Sequence, residues 1–162
     1  MSIESVRAYF TKIGLGDRVV EFEVSSATVE LAARAVGTAP ARIAKTLSLS
    51  DNEGGCILVV AAGDAKISNR KFKDFFGFKA RMLSHEEAFE KTGHAVGGVC
   101  PFVLPEGVRV YLDASMKRFD TVFPAAGSAN SAVELTCAQL EQCSGAKAWV
   151  DVCALPEPDS RP

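Results

Sequence analysis

The chain has 162 residues, the size of one domain, and its 48% hydrophobic and 23% charged residues are typical of a globular protein rather than a disordered one. Its net charge of -2 argues against a non-specific nucleic-acid binder, although a protein that touches only one end of an RNA needs just a local basic patch. The apolar runs are far shorter than the about 20 residues that a membrane-spanning helix needs, so no membrane association is expected.

The five cysteines indicate a reducing compartment. Their number is odd, and the first ten residues, MSIESVRAYF, have the pattern of an amphipathic helix rather than that of a signal peptide. We therefore expect free thiols and a cytoplasmic protein. The chain has no CxxC pair and has two histidines, His85 and His94, so neither a metal nor a cofactor is expected.

Helices and strands are mixed along the first half of the chain. Apolar spacing predicts a helix from Ser2 to about Ile13, and alternation predicts a strand over 19–24. Ser25 or Ser26 is the expected cap of a second helix, which ends at a glycine. Two strands over 44–50 and 56–63 follow, joined by a hairpin turn with the sequence DNEGG.

The second half continues this mixture. We predict a helix capped by Ser68, a short strand over 80–84, a helix over 85–92 and a loop rich in glycine and proline over 94–107. Three further strands, one more helix and a last strand over 146–153 complete the chain. The fold class predicted is therefore mixed α+β, with a partly barrel-like sheet of about seven strands and surrounding helices. One domain over 1–155 is expected, followed by a flexible, proline-rich tail over 156–162.

Lys45 is the first residue that could carry chemistry. It lies at the start of a predicted strand, ARIAKTLSL, among apolar and small neighbours. From there its ammonium group could reach a pocket and hold a phosphate or a carbonyl oxygen. The alternative is a solvated lysine at a strand end.

A second candidate is the loop Gly97-Gly98-Val99-Cys100-Pro101. Paired glycines permit a positive φ and a close approach of a ligand to the backbone, and consecutive amides in such a turn can bind an anion or an oxyanion. The alternative is an ordinary tight loop. Cys100 with His94 could also form a nucleophile and base pair, although a cysteine is more often a small buried residue.

Basic residues that could form a rim for phosphates are Lys66, Arg70, Lys71, Lys73, Lys117 and Arg118. Solvated helix faces are the alternative for these side chains. The sequence lacks GxxxxGK[ST], GxGxxG and HExxH, so nucleotide-binding and metalloprotease interpretations have no fingerprint.

Together these motifs resemble a known family. The order SSATVELAARAVG, ARIAKTLSL, GHAVGGVCPF and VYLDASMKRFDTVFPAAGS is similar to that of the YbaK/EbsC (ProX-type) aminoacyl-tRNA deacylases, which are related to the editing domain of bacterial prolyl-tRNA synthetases. The resemblance runs over about 19–152. ARIAKTLSL and the loop 97–101 are its most specific parts.

The resemblance implies hydrolysis of the ester between an amino acid and the terminal adenosine of a tRNA. Lys45 falls on the family's lysine, which contacts the terminal nucleotide and is needed for activity. Gly97 and Pro101 fall on the family's GxxxP loop, whose amides hold the substrate carbonyl. Gly127 and Ser128 match a small-residue segment of the pocket wall.

Two positions depart from the pattern of relatives. Cys100 stands where many relatives carry serine, and Thr46 stands where some carry asparagine. These departures leave the amino acid and the tRNA undetermined.

Three functions follow as hypotheses. The first is a free-standing trans-editing deacylase whose partners are a mischarged tRNA, through its 3′ aminoacyl end, and a synthetase. The second is a non-catalytic module that binds the tRNA end or a synthetase. The third is a thiol hydrolase that uses Cys100 and His94.

Overall fold

The computed structural model of the chain describes residues 2–95 and 97–156. Within these ranges there are five α-helices and ten strands. The helices are α1 (Ser2–Lys12), α2 (Val29–Val36), α3 (Asn69–Phe76), α4 (His85–Thr92) and α5 (Cys137–Ser144). The strands are β1 (Val19–Glu21), β2 (Ile43–Ser50), β3 (Cys56–Ala62), β4 (Lys66–Ile67), β5 (Arg109–Asp113), β6 (Thr121–Pro124), β7 (Ser131–Val133), β8 (Leu135–Thr136), β9 (Ala148–Val150) and β10 (Cys153–Ala154).

Six of these strands form the main sheet, in the order β8-β6-β2-β3-β5-β9. The β2–β3 hairpin at its centre is antiparallel, with Lys45 opposite Ala61. β5 and β9 add in parallel on one side, and β6 adds in parallel to β2 on the other. The sheet is mixed and curls into a half-barrel with helices around it, which confirms the predicted fold class.

Two small antiparallel sheets complete the strands: β1 with β7, and β4 with β10. The prediction of about seven strands includes β1, within the strand expected over 19–24, but it does not include β4 and does not pair these short strands. The last predicted strand, over 146–153, is in fact divided between β9 and β10. The strand expected over 80–84 is reduced to one bridge between Met82 and Leu49.

The core lies against the central strands. All seven residues of β3 are buried, as expected for a strand covered on both faces. α1 packs Phe10 against Phe102, with ring centroids 4.8 Å apart, and α3 contributes the buried Phe72. This packing fixes β2 and the turn after β3, which carry the candidate site.

Side-chain caps set the starts of several helices. Thr28 caps α2 by accepting a hydrogen bond from the amide of Leu31, so the expected cap at Ser25 or Ser26 was wrong. Ala27 and Thr28 lie between those serines and the helix, and both line a cavity. Ser84 and Glu87 form a reciprocal capping box at α4, and Ser68 caps α3 as predicted. Of the tail predicted over 156–162, residues 157–162 lie outside the described residues.

Candidate functional site

A cavity of about 450 Å³ opens beside β2, and it brings together segments distant in the sequence. Its walls come from the residues before and in α2, from β2, from the segment into α4, from the glycine loop and from the chain between β6 and β7. Most lining side chains are apolar or small. The lining residues are Ser26, Ala27, Thr28, Val29, Ala32, Ile43, Ala44, Lys45, Thr46, Ser48, Met82, Leu83, His85, Ala88, Gly97, Val99, Phe123, Ala125, Ser131 and Ala132.

Lys45 contributes the cationic group of this cavity. Its Nζ donates to the carbonyl oxygen of Gly63, at 3.4 Å, and to that of Ala65. An ammonium group has three N–H donors, so two carbonyls leave one donor for a ligand. Lys45 is half-buried, which sets it apart from the solvated lysine that was the alternative.

Burial also changes the acidity of this group. Desolvation lowers the pKa of Lys45 from its ordinary value, while the nearby Cys153 and Asp64 oppose that shift. Lys66 adds to the lowering, and Glu30 opposes it. The pKa of Lys45 therefore reflects its burial first and the ionisable groups around it second.

The glycine loop packs closely against the opposite wall. Gly97 has φ +81°, and a Cβ placed there would lie 2.8 Å from the Cβ of Ala27. A Cβ on Gly98 would lie 2.7 Å from the backbone nitrogen and Cα of Ser128. Because real Cβ atoms do not approach so closely, neither position has room for a side chain. The positive φ of Gly97 is a second reason for glycine at that position.

The loop divides into residues that face the cavity and residues that do not. Gly97 and Val99 line the cavity. The amide of Gly98 donates to the carbonyl of Ala95 at 2.9 Å, so it is already used within the turn. Pro101 is buried and lines a separate pocket together with Tyr9.

Cys100 is fully buried, and its side chain faces His94 rather than the cavity. Burial raises the pKa of its thiol to about 12, so the thiol stays protonated at neutral pH. Its Sγ lies 3.6 Å from Nε2 of His94, but that nitrogen lies 2.8 Å from the carbonyl of Phe102, to which it donates. A nitrogen that carries this proton cannot accept one from the thiol, and burial lowers the pKa of His94.

The other nitrogen of His94, Nδ1, is buried without a hydrogen-bond partner among the described residues. Because Nε2 carries the ring proton and donates it to the carbonyl of Phe102, Nδ1 is unprotonated and has a lone pair. The imidazole therefore joins the two ends of the glycine loop. It does not form an activated pair with Cys100.

Ser128 supports the site from behind. Its hydroxyl donates to Ser131 Oγ at 2.8 Å and lies 2.9 Å from Asn130 Oδ1. Ser131 lines the cavity, whereas Ser128 backs Gly98. Ser128 thus contacts the loop but does not line the cavity, whereas the matched segment implied a place on the pocket wall.

Sequence reasoning missed several lining residues. Ser26, His85 and Ser131 belong to three different segments, and no spacing relates them to Lys45. The buried Oγ1 of Thr46, next to Lys45, has no hydrogen-bond partner among the described residues. In the described part of the chain, no group of three or more His, Cys, Asp or Glu side chains is placed to hold a metal ion.

Comparisons with known proteins show the family to which the chain belongs. The family of aminoacyl-tRNA editing domains matches residues 23–143, and the chain belongs to this family. It is 57% identical over 153 residues to "Uncharacterized protein YwhH" of Bacillus subtilis (strain 168), covering 94% of this chain and 98% of that protein.

Solved structures share the fold. The "hypothetical protein APE2540" superposes with a TM-score of 0.81 at 30% identity, over 92% of this chain and 99% of that one. A "putative trans-editing enzyme for prolyl tRNA synthetase" superposes with a TM-score of 0.82 at 30% identity, over 97% of this chain and 98% of that one. None of the described helices has the length and apolar character that a bilayer crossing requires.

Proposed function

We propose that the protein is an aminoacyl-tRNA deacylase that hydrolyses the ester of mischarged tRNA in trans. The observation that supports this proposal most is that Lys45, Gly97 and Val99 line one cavity. The chain that forms this cavity belongs to the family of aminoacyl-tRNA editing domains. Action in trans is supported by the likeness to the structure whose name describes a trans-editing enzyme, at 30% identity.

Lys45 would contact the terminal nucleotide through the one ammonium donor that the turn carbonyls leave. An ammonium group can bind a phosphate or a ribose oxygen of the terminal adenosine. The aminoacyl ester would then extend towards the glycine loop. In the proposed arrangement the backbone around Gly97 and Val99 holds the ester carbonyl and stabilises its oxyanion, while the amide of Gly98 shapes the turn.

The hydrolysis needs an oriented water rather than a covalent intermediate. The water oxygen attacks the carbonyl carbon, the bond to the ribose oxygen breaks, and that oxygen takes up a proton as the amino acid leaves. Lys45 and His85 are the ionisable side chains of the described lining, and His85 is exposed at the rim. We infer that a hydroxyl of the substrate ribose assists the proton transfer, as the family resemblance implies.

The proposed partners are the 3′ end of a mischarged tRNA and a synthetase that charges it. A reducing cytoplasm is the proposed location, and the five cysteines, which are all free in the structure, support it.

The test is deacylation by the purified protein of a panel of tRNAs, each charged with a cognate or a non-cognate amino acid. We expect fast release of at least one non-cognate amino acid and slow release of cognate ones. Tight binding of charged tRNA ends without release above the spontaneous rate would instead identify a binding module.

A further inference from the structure

The turn between β3 and β4 lies directly behind Lys45. Its residues Gly63, Asp64 and Ala65 present two carbonyl oxygens to the Lys45 ammonium. The position of the turn therefore sets the position of Nζ and the direction of its remaining donor. A displacement of the turn would move the cationic group of the cavity.

The turn is packed closely on its other side. A Cβ on Gly63 would lie 2.0 Å from the carbonyl oxygen of Pro40 and 2.7 Å from Cγ1 of Val29. Pro40 belongs to the short 3-10 helix before β2, and Val29 lines the cavity. The turn thus contacts the cavity wall as well as Lys45.

A bidentate ion pair fastens the same turn. Arg118 Nη1 and Nη2 donate to the two carboxylate oxygens of Asp64, at 3.1 and 2.6 Å. The arginine is itself held, because its Nε donates to the carbonyl of Ser115 at 2.8 Å. The Ser115 hydroxyl in turn accepts the amide of Ala62, at 3.1 Å. Such paired, parallel hydrogen bonds fix geometry more strictly than a single contact does.

We propose that Asp64 and Arg118 are positioning residues of the site: their ion pair holds the 63–65 turn, and the turn carbonyls present the Lys45 ammonium to the substrate. The inference rests on the proposed function, because it assumes that Lys45 contacts the substrate. Neither residue lines the cavity, so each acts through Lys45.

The pair also balances charge beside Lys45. The charged or ionisable groups that face Lys45 are Glu30, Asp64, Lys66 and Cys153, and Asp64 supports the protonated ammonium. Arg118 neutralises Asp64. Removal of either partner therefore changes the charge near Lys45, but the two removals change it in opposite directions.

The test compares Asp64→Asn and Arg118→Gln with the parent in single-turnover deacylation across pH. Both variants should lose about 10- to 100-fold in rate near neutral pH, because a small displacement of a positioned group is costly. In Asp64→Asn the pKa of Lys45 should fall, so the alkaline loss of activity moves to lower pH. In Arg118→Gln the unpaired carboxylate of Asp64 should raise the pKa of Lys45, so the alkaline loss of activity moves to higher pH.

A second readout needs no substrate. NMR titration of isotopically labelled lysine, with the Lys45 signal assigned from Lys45→Arg, should show the same opposite shifts. The matched control is Glu21→Gln, which breaks the exposed Arg7–Glu21 ion pair of 2.5 Å elsewhere on the surface. It should change neither the rate nor the Lys45 titration.

The possible outcomes separate the two proposals. A parent that deacylates no tRNA in the panel would contradict the proposed function. An active parent with unchanged rates and unchanged Lys45 titration in both variants would overturn the positioning role alone. Shifts of the Lys45 pKa in the same direction in both variants would also overturn the positioning role. A general loss of structure would shift both in one direction, whereas the positioning role predicts opposite shifts.

Discussion

At the residue scale, the environment of Cys100 bears on the choice between the proposed deacylase and a thiol hydrolase. The thiol is buried, its pKa is raised to about 12, and the nearest imidazole nitrogen already donates to the carbonyl of Phe102. A catalytic thiol needs the opposite environment, because it must ionise and reach its substrate.

We therefore predict that Cys100→Ser retains deacylation within about tenfold of the parent, which corresponds to about 1.4 kcal/mol in the barrier. Serine is nearly isosteric, and its hydroxyl can donate to the carbonyl of Phe102. Single-turnover deacylation measures this effect, and mass spectrometry of the parent searches for a covalent aminoacyl-enzyme. An inactive variant together with a trapped thioester would replace our mechanism with a thiol hydrolase.

At the element scale, the glycine loop depends on close contact rather than on flexibility. Gly97 combines a positive φ with contact to Ala27, whereas Gly54, in the β2–β3 turn, has a similar φ of +84° with open space around it. Substitutions at the two positions can therefore distinguish the effect of backbone strain from the effect of close contact.

We predict that Gly97→Val reduces single-turnover deacylation by about 100-fold, since a displaced loop misplaces the carbonyl-binding backbone. Gly54→Val carries the same kind of strain and should lower the melting temperature without a comparable loss of rate. Comparable rates in the two variants would show that the loop does not hold the substrate.

Sequence patterns predicted most of these elements because the patterns are local. The β2–β3 hairpin follows from the strand patterns on either side of DNEGG, α3 follows from its cap at Ser68, and α4 follows from a short helical segment that ends at Gly93. The cap of α2 was misplaced because Ser25, Ser26 and Thr28 are all good caps. A strand was predicted where β1 lies, but its pairing with β7, and the strand β4, were missed because such short strands are defined by distant partners rather than by their own pattern.

At the scale of the whole molecule, the fold and the family could be predicted, but the cavity could be predicted only in part. Lys45 and the glycine loop were found because they carry recognisable motifs. Ser131 and His85 reach the cavity only through the curl of the sheet and the crossings of the chain, which local spacing does not encode. Asp64 and Arg118 are 54 residues apart in the sequence, so their contact could be identified only from the tertiary structure.

The most direct test of the account is single-turnover deacylation by Lys45→Ala of the mischarged tRNA that the parent hydrolyses best. Lys12→Ala, an exposed lysine of α1 that does not line the cavity, is the matched control. We predict a loss of at least about 100-fold for Lys45→Ala, because the substrate is no longer positioned, with an unchanged fold by circular dichroism and full activity in the control. A Lys45→Ala protein that deacylates at the parent rate would contradict the assignment of this cavity as the active site.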